Sequence, residues 1–511
     1  MTTPMSALES DQSPLLGLTI LWHPEPERIG QQFIGPGGEG VLELNRFSPL
    51  FRAPGKDGLA LGHRCIARTP LRICRDGGDG VAITLPDSRM AVEVNGKSVT
   101  DAAYLPRAQI ERGVVLGLGG LVLVCLHWIR CLPKSNDLPG LLGVSSAMII
   151  VRDLIRQVAH TSLPVLLLGE TGSGKDVAAR AIHGLSKRAG HPFVAVNMAT
   201  LNESLAAADL FGAAKGAYTG AHAQRPGLFA EAEGGTLFLD EIGDMPGLIQ
   251  PMLLRVLESG EYRPLGASRN QQSGARLITA TDRALEGGAF NQALLRRLEA
   301  FVIRLPALRD RREDIGVLLL HFLQTRPDLS NQAIALPMTF ISDICNHDWP
   351  GNVRQLAHVL RRATMAASAG EALTLASFIR MQNLPQTSAS EAGIAPVIGL
   401  AGAPASHQTA VKPPRKKLSG LTPHDIMSAM EDNAWQIRGA AQQLGISRPS
   451  LYKLLAAHPA IRPAASIPLE EIRRVLQEHA GDLSRCAASL KTPSEALRRH
   501  VLGLGLEHSD S

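Results

Sequence analysis

Along the 511 residues the rhythm of apolar and polar positions changes several times. Up to about residue 132 the apolar runs are short and separated by Gly, Pro and Asp clusters: LTILW (18–22), VLEL (41–44), LRIC (71–74), VAITL (81–85) and MAVEVNG (90–96). Runs of that length and spacing predict an all-β sandwich over 1–132, with Asn95-Gly96 as a hairpin turn. From 139 to 306 the runs PVLLL (164–168), FVAVN (193–197), TLFLD (236–240), RLITATD (276–282) and FVIRL (301–305) alternate with helical patterns. That alternation predicts a parallel α/β sheet with covering helices, followed by a helical segment over 307–384. Residues 385–418 are rich in Pro, Ala, Ser and Gly and end in Pro413-Pro414-Arg415-Lys416-Lys417, the composition of a flexible linker with a basic end. Beyond it the pattern repeats itself. Ile426, Ala434, Ala441, Leu444 and Leu451 match Ile472, Ala480, Ala487, Leu490 and Leu497 at a constant offset of 46, so 419–460 and 464–507 each read as three short helices.

One stretch, Val114 to Ile129, is apolar enough to raise a membrane span. It holds only 16 residues, broken by Gly117, Gly119 and Gly120, against the roughly 20 that a spanning helix needs. Two adjacent β-strands fit it better. The N-terminal MTTPMSALESDQSP has neither the basic nor the apolar part of a secretory signal. The six cysteines are dispersed with no C-x-x-C pair, which argues against a zinc knuckle or a disulfide framework. These features together predict a cytoplasmic protein with no membrane partner. The net charge of +5 is unevenly placed: 412–502 carries 14 Lys and Arg against 8 Asp and Glu, so the C-terminal part is the candidate for a polyanion. The 16 histidines form no ligand-spaced cluster, and neither a hydrolase triad nor a metalloenzyme finds support.

The chemistry concentrates at Leu163 to Asp176, LPVLLLGETGSGKD. A buried-strand run breaks into Gly169-Glu170-Thr171-Gly172-Ser173-Gly174-Lys175, and a helical pattern follows from Asp176 to about His183. Strand, glycine-rich loop and helix in that order form a phosphate cradle: backbone N–H groups converge on phosphate oxygens, Lys175 adds a point charge and the helix its dipole. The generic loop carries Ser or Thr after the lysine, where Asp176 stands here. The strand TLFLD ends in Asp240-Glu241, 65 positions beyond the lysine. There Asp240 is placed to hold Mg²⁺ through water and Glu241 to polarise the attacking water. Between them, Leu210 to Ala221 reads LFGAAKGAYTGA, small residues with one aromatic, Tyr218, the pattern of a mobile loop with a single apolar tip.

GAYTGA resembles the GAFTGA signature of the bacterial enhancer-binding proteins, AAA+ ATPases that activate RNA polymerase carrying sigma-54. The resemblance covers about Leu141 to Leu384 and includes GETGSGKD, GGTLFLDEIGDMP, LPALRDRREDI and Trp349-Pro350-Gly351-Asn352-Val353-Arg354-Gln355-Leu356. It implies that Gly169, Glu170, Thr171, Gly172, Ser173, Gly174, Lys175 and Asp176 bind ATP phosphates and that Asp240 and Glu241 serve Mg²⁺ and water. Asn197 would pair with Glu241 as a nucleotide-sensing switch. Asp282, after Thr281, would be the first sensor, where the family more often has Asn. Arg354 would be the second sensor, on a helical lid (307–384), and Arg297 the arginine finger given to a neighbouring subunit. A second family arginine, six positions earlier, is Asn291 here. Gly216, Ala217, Tyr218, Thr219, Gly220 and Ala221 would contact sigma-54. An arginine finger is worth on the order of 10³–10⁵ in rate, so these departures imply an active but slow ATPase.

The flanking regions carry their own resemblances. The N-terminal sandwich resembles a forkhead-associated (FHA) domain through Arg28-Ile29-Gly30, Leu61-Gly62-His63-Arg64, Ile66-Ala67-Arg68-Thr69-Pro70 and the Asn95-Gly96 turn. That implies a phosphopeptide partner, with Arg46, Arg64 and Arg68 as phosphate forks or as solvated loop arginines. Ala67 stands where that family usually has a phosphate-gripping serine. Gly439 to Lys453 resembles the Fis-like helix-turn-helix that ends most enhancer-binding proteins, which implies that Arg448, Ser450, Tyr452 and Lys453 face double-stranded DNA. In the second copy Lys491 replaces Gly445 and Pro493 replaces Ser447, while Arg498 and Arg499 keep it basic; it is a second reader or a packing module. The expectation is a multidomain, ATP- and Mg²⁺-dependent transcription activator that assembles as a homo-oligomeric ring, a hexamer by resemblance. It would bind DNA upstream of promoters and remodel sigma-54 RNA polymerase from closed to open complex. The alternatives are a DNA-binding scaffold whose ATPase has decayed, motivated by Asn291 and Asp282, and a remodeller of another protein.

Overall fold

The computed structural model describes residues 14–36, 40–203, 205–217, 223–286, 290–325 and 336–382, and in the C-terminal region 423–433, 435–444, 446, 451, 454–455, 461–462, 467–479 and 483–503. It divides into two compact units, residues 1–389 and 390–511. The predicted linker at 385–418 lies outside the described residues.

The first unit begins with strands β1 (Leu15–Trp22), β2 (Gln32–Ile34), β3 (Val41–Leu44), β4 (Leu71–Arg75), β5 (Val81–Thr84), β6 (Val92–Val94), β7 (Lys97–Val99) and β8 (Ala102–Leu105), a short helix α1 (Arg107–Glu111), and strands β9 (Val114–Leu118) and β10 (Val122–Ile129). They form two antiparallel sheets, β2-β1-β10-β9-β6-β7 and β3-β4-β5-β8. Strands β3 and β5 alternate exposed and buried positions, as a half-solvated sheet requires. The apolar run Val114 to Ile129 is the β9–β10 hairpin, in register from Leu118 opposite Val122 to Val114 opposite Leu126.

Every residue of β10 is buried, and the side-chain period of two explains why. Val122, Val124, Leu126 and Trp128 enter the core between the two sheets. Leu123 and Cys125 point the other way, into a second core shared with helices more than 180 residues further along the chain. The same split occurs in β9, where Val114, Leu116 and Leu118 face the sandwich and Val115 faces the second core. A run apolar on both faces was needed because both faces are covered by protein.

Helix α2 (Ser146–Ala159) is capped by Ser145, whose side chain accepts a bond from the Met148 N–H at 3.2 Å. Then come β11 (Val165–Leu168), α3 (Lys175–Gly184), β12 (Phe193–Asn197), α4 (Ala206–Phe211), α5 (Leu228–Glu231), β13 (Thr236–Asp240), α6 (Gln250–Ser259), the two-residue strands β14 (Glu261–Tyr262) and β15 (Gln271–Gln272), β16 (Arg276–Thr281), α7 (Gln292–Leu298) and β17 (Val302–Arg304). The sheet is parallel in the order β12-β13-β16-β11-β17. Alternate residues again feed two cores. Leu166, Leu237, Leu239 and Leu277 go to one face; Val165, Leu167, Phe238, Ile278 and Ala280 go to the other. Helices α8 (Ile315–Gln324), α9 (Met338–Asn346), α10 (Asn352–Ser368) and α11 (Leu375–Gln382) complete the unit around the fully buried Trp349.

In the second unit, α12 (Pro423–Asp432), α13 (Ile437–Leu444), α14 (Leu469–Glu478), α15 (Leu483–Ser489) and α16 (Ser494–Gly503) share one core. The repeat-related pairs Ile426 and Ile472, Ala441 and Ala487, Leu444 and Leu490, and Leu451 and Leu497 are all buried in it. Ser494 ties the copies together, its N–H and hydroxyl both donating to the Trp435 carbonyl at 3.0 and 3.1 Å.

Candidate nucleotide site

Strand order brings the chemistry to one edge. In an open parallel sheet, ligands bind beyond the carboxyl ends of the strands where the order reverses. Here β11 lies between β16 and β17, and the glycine-rich loop leaves its end. The next strands, β16 and β13, deliver Asp282 and Asp240-Glu241 to the same edge.

Lys175 opens α3, 6% exposed, with its Nζ donating to the Gly169 carbonyl at 2.7 Å and the Glu170 carbonyl at 3.4 Å. Ser173 is buried, and among the described residues its hydroxyl has no hydrogen-bond partner. A buried, unpaired hydroxyl inside a glycine loop fits an external acceptor such as a phosphate oxygen. Asp176 lies in the first turn of α3, where its charge raises the Asp240 carboxyl.

Burial pushes Asp240 above the usual carboxylate range, while the nearby positive charges of Lys175 and Arg354 pull it back. Burial also raises Glu241, and Asp282 and Asp240 add repulsion against the pull of Lys175. Glu241 sits at φ 51°, and its N–H donates to Asp240 Oδ1 at 3.1 Å. A non-glycine residue held there is a feature often found at active sites. Asp282 accepts a bond from the Thr171 hydroxyl at 2.8 Å, so strand β16 grips the glycine loop directly. Among the described residues no cluster of three or more His, Cys, Asp or Glu could hold a metal by itself. Mg²⁺ needs no such cluster, since it is commonly bound by one or two carboxylates together with substrate phosphates and water.

The structure places the remaining sequence-derived residues as follows. Asn197, at the end of β12, accepts from the Ala199 N–H at 2.9 Å and so caps its own 3-10 turn; among the described residues no hydrogen bond joins it to Glu241. Arg354 lies in the first turn of α10, its N–H 3.4 Å from the Gly172 carbonyl. Arg297 ends α7 on the surface, with a 3.4 Å ion pair to Glu258 between two half-exposed side chains. Asn291 is the cap of α7: its side chain accepts from the Ala293 and Leu294 N–H groups. Gly216 and Ala217 follow a base pinned by reciprocal backbone bonds between Ala213 and Arg225; Tyr218, Thr219, Gly220 and Ala221 lie outside the described residues. In the sandwich, Arg46 donates to the carbonyls of Ile66 and Arg64, whereas Arg64 and Arg68 are exposed. Arg448, Ser450, Tyr452 and Lys453 lie outside the described residues, as do the side chains of Arg498 and Arg499 on α16.

Residue-type reasoning gave no role to the ties that hold the glycine loop from the helical side. Arg309 makes a two-pronged contact with Glu170 at 2.8 and 2.5 Å. Asn352, fully buried at φ 52°, donates to Glu170 Oε2 and the Thr171 carbonyl, both at 3.1 Å, and accepts from the Leu308 N–H at 2.7 Å. These donors hold the Glu170 carboxyl down to about 2. Gly172 has to be glycine here: a Cβ would come within 2.5 Å of the Gly351 carbonyl oxygen. Both Asn352 and Arg309 belong to sequence motifs already singled out, but their roles needed the contacts.

A parallel sheet in this order, a glycine loop with a buried lysine, and a carboxylate pair on the neighbouring strand end define a P-loop ATPase. The sigma-54 interaction domain family matches residues 141–304 and the AAA+ ATPase lid domain family matches 309–393, so the central region is an AAA+ ATPase domain with its lid. The chain is 38% identical over 342 residues to the nitric oxide reductase transcription regulator NorR2 of Cupriavidus necator, covering 63% of each protein. It is 37% identical over 322 residues to the transcriptional regulatory protein ZraR of Salmonella typhimurium, covering 62% of this chain and 68% of that one. A crystal structure of NtrX from Brucella abortus with ATP aligns at 27% identity and TM-score 0.42, over 63% of this chain and 70% of that one. The chain belongs to the family of sigma-54-dependent transcriptional regulators. It spans just under two thirds of the length of NorR2 and slightly more of ZraR.

Proposed function

We propose that the chain is an ATP-driven activator of transcription by RNA polymerase carrying sigma-54. The observation that carries this reading is the convergence of Lys175, Asp240, Glu241 and Arg354 at one sheet edge of a sigma-54 interaction domain. ATP phosphates would lie along Gly169–Asp176, with the Ser173 hydroxyl and Lys175 Nζ turning to them. Asp240 would be the residue that holds Mg²⁺, which would supply charge neutralisation there. Glu241, raised by burial and by its carboxylate neighbours, is suited to take a proton from water. Arg297, exposed and loosely paired, is free to reach a neighbouring subunit of a ring. The Gly216–Ala221 loop, rising from its pinned base, would engage sigma-54. The FHA-like sandwich would be the regulatory module with a phosphopeptide as its ligand, and the Fis-like repeats would hold the ring on DNA near the promoter, raising its effective concentration.

The test is promoter opening by purified sigma-54 polymerase with ATP, at activator concentrations high enough to dispense with a specific DNA site. Wild type should open the promoter and Lys175→Ala should not. A second reading, a DNA-binding scaffold with a silent ATPase, draws on the Asp282–Thr171 bond, which ties the loop shut with a carboxylate near the phosphate position. Wild-type protein that neither hydrolyses ATP nor opens promoters would put that reading first.

A further inference from the structure

The segment Arg309–Asp314 is six ionisable residues in a row, yet Arg311, Arg312, Glu313 and Asp314 are buried. Each faces a different body. Arg309 grips Glu170 of the glycine loop, and Arg311 donates to the Ser173 carbonyl of the same loop at 3.2 Å. Asp314 accepts from the Val144 and Ser145 N–H groups and the Ser145 hydroxyl at 2.6–2.7 Å, fixing the start of α2. Arg312 pairs with Asp348, next to Trp349. Glu313 faces His127 of β10 at 3.6 Å, and His127 continues to the Thr19 hydroxyl at 2.7 Å and through it to Gln32 at 2.9 Å. Gln32 exchanges backbone bonds with Arg52, in the loop region that carries Arg46, Arg64 and Arg68.

The sandwich does not merely lie beside this segment. Leu21, Val115, Leu123 and Cys125 share a core with Ile315, Leu318, Leu319, Phe340, Ile341 and Ile344. Gly316, the second residue of α8, approaches β1 so closely that a Cβ would stand 2.1 Å from the Leu21 carbonyl oxygen. A Cβ on Gly30 would meet Val317 at 2.7 Å. The segment thus has the sandwich on one side and the phosphate loop on the other, joined by fewer than three residues.

We propose that Arg309–Asp314 is a positioning element for the phosphate loop on which the N-terminal sandwich bears directly, so that the way the sandwich sits on the lid sets how tightly the chain holds nucleotide. The inference rests on the ATPase domain and stands whether or not sigma-54 is the target. The two seats are then thermodynamically linked: if docking changes nucleotide affinity by some factor, nucleotide changes docking by the same factor. A merely structural role for the segment would show no such reciprocity.

The experiment uses the full chain. Docking is read as the rate of trypsin cleavage after the exposed Arg130 and Lys134, between sandwich and α2, and affinity by titration with a fluorescent methylanthraniloyl ATP analogue. Saturating ATP analogue should change the wild-type cleavage rate at these sites by about threefold or more. In Gly316→Ala the new methyl must push α8 off β1 although alanine favours the helix itself; the sites should open and the analogue Kd should shift by a similar factor. Val317→Glu, at a half-buried position against Gly30, gives the same readout should Gly316→Ala fail to fold. A wild-type cleavage rate indifferent to nucleotide overturns the proposal, as does a variant whose sandwich is released while its Kd stays within twofold of wild type.

Discussion

The lid has two neighbours and treats them differently. Toward the sandwich its contact is a continuous apolar core in which Leu21, Val115, Leu123 and Cys125 are 0–3% exposed. Toward the phosphate loop the contact is polar and partly wet: the Arg309–Glu170 pair is about two-fifths exposed on both sides, and Asn352 and Arg311 add bonds to Glu170, Thr171 and Ser173. Apolar burial at roughly 25 cal/mol per Å² holds a joint in one place and resists opening. An exposed ion pair contributes under about 1 kcal/mol and can be traded for another partner. The sandwich side is therefore the anchored joint and the loop side the adjustable one. In an ATPase the adjustable joint belongs at the nucleotide, where contacts must change during turnover.

The difference is broken most severely by placing a charge in the anchored joint. Leu123→Asp buries a carboxylate with no partner and should cost on the order of 4 kcal/mol, seen as loss of cooperative unfolding of the first unit. Leu121→Asp is the control two positions away, 41% exposed. It should stay within about 0.5 kcal/mol of wild type. Equal effects of the two would mean that the sandwich is not seated on the lid.

A smaller effect tests the same joint through pH. Glu313 is buried beside Asp314, Arg311 and, from β10, His127, and burial raises its carboxyl to about 8. Asp314 has three donors and is the better carboxylate, so the retained proton belongs to Glu313. The folded chain then binds a proton that the unfolded chain has already lost, and stability should fall as pH rises from about 4.5 to about 8. Glu313→Gln keeps the shape without the titration. It should flatten that slope and melt higher than wild type at pH 8. A variant with the wild-type slope would place the proton elsewhere.

The adjustable joint is probed by Asn352→Gly. Glycine accepts φ 52° without strain, so only the side-chain bonds to Leu308, Glu170 and Thr171 are lost. At about 0.5–1.5 kcal/mol per bond the expected cost is about 2 kcal/mol, together with weaker analogue binding. Unchanged binding would show that the loop keeps its shape without the lid.

What the sequence disclosed and concealed follows the same division. Strands β11, β12, β13, β16 and β17 were legible because parallel strands covered on both faces leave apolar runs bounded by turns. The loop Gly169–Lys175 and the pair Asp240-Glu241 were legible because chemistry fixes their order along the chain. The β9–β10 run showed its strands but not its second neighbour: period two tells which residues share a face, not what covers it. Strands β2 and β8 escaped because QFI and AAYL are too short or too alanine-rich to stand out. Arg311 to Asp314 were concealed most completely, since charged residues are rarely buried unless paired, and the partners of Arg311, Glu313 and Asp314 lie about 140 to 190 positions earlier in the chain while that of Arg312, Asp348, lies 36 positions later. Asn291 looked like a missing arginine; its role as the cap of α7 is local and was open to reading from the helix start that follows it.

The smallest expected effect carries the opposite sign of pH dependence and completes the contrast. Glu170, with Arg309 and Asn352 around it, is held down to about 2. Its contribution is fully present above the ordinary carboxylate range near 4.5 and is lost as pH falls through about 2, because only then does the folded chain take up the proton that the unfolded chain has already bound. Since both partners are about two-fifths exposed, solvent screens the pair and the whole contribution should stay under about 1 kcal/mol. Glu170→Gln should therefore leave the melting temperature at pH 7 within about 2 °C of wild type. Its signature lies in salt: added KCl should weaken the wild-type tie and not that of the variant, so their analogue affinities should converge as ionic strength rises. A gap that persists at 1 M KCl would assign the Glu170 contact to the anchored kind of joint, and the lid would then be fixed on both of its sides.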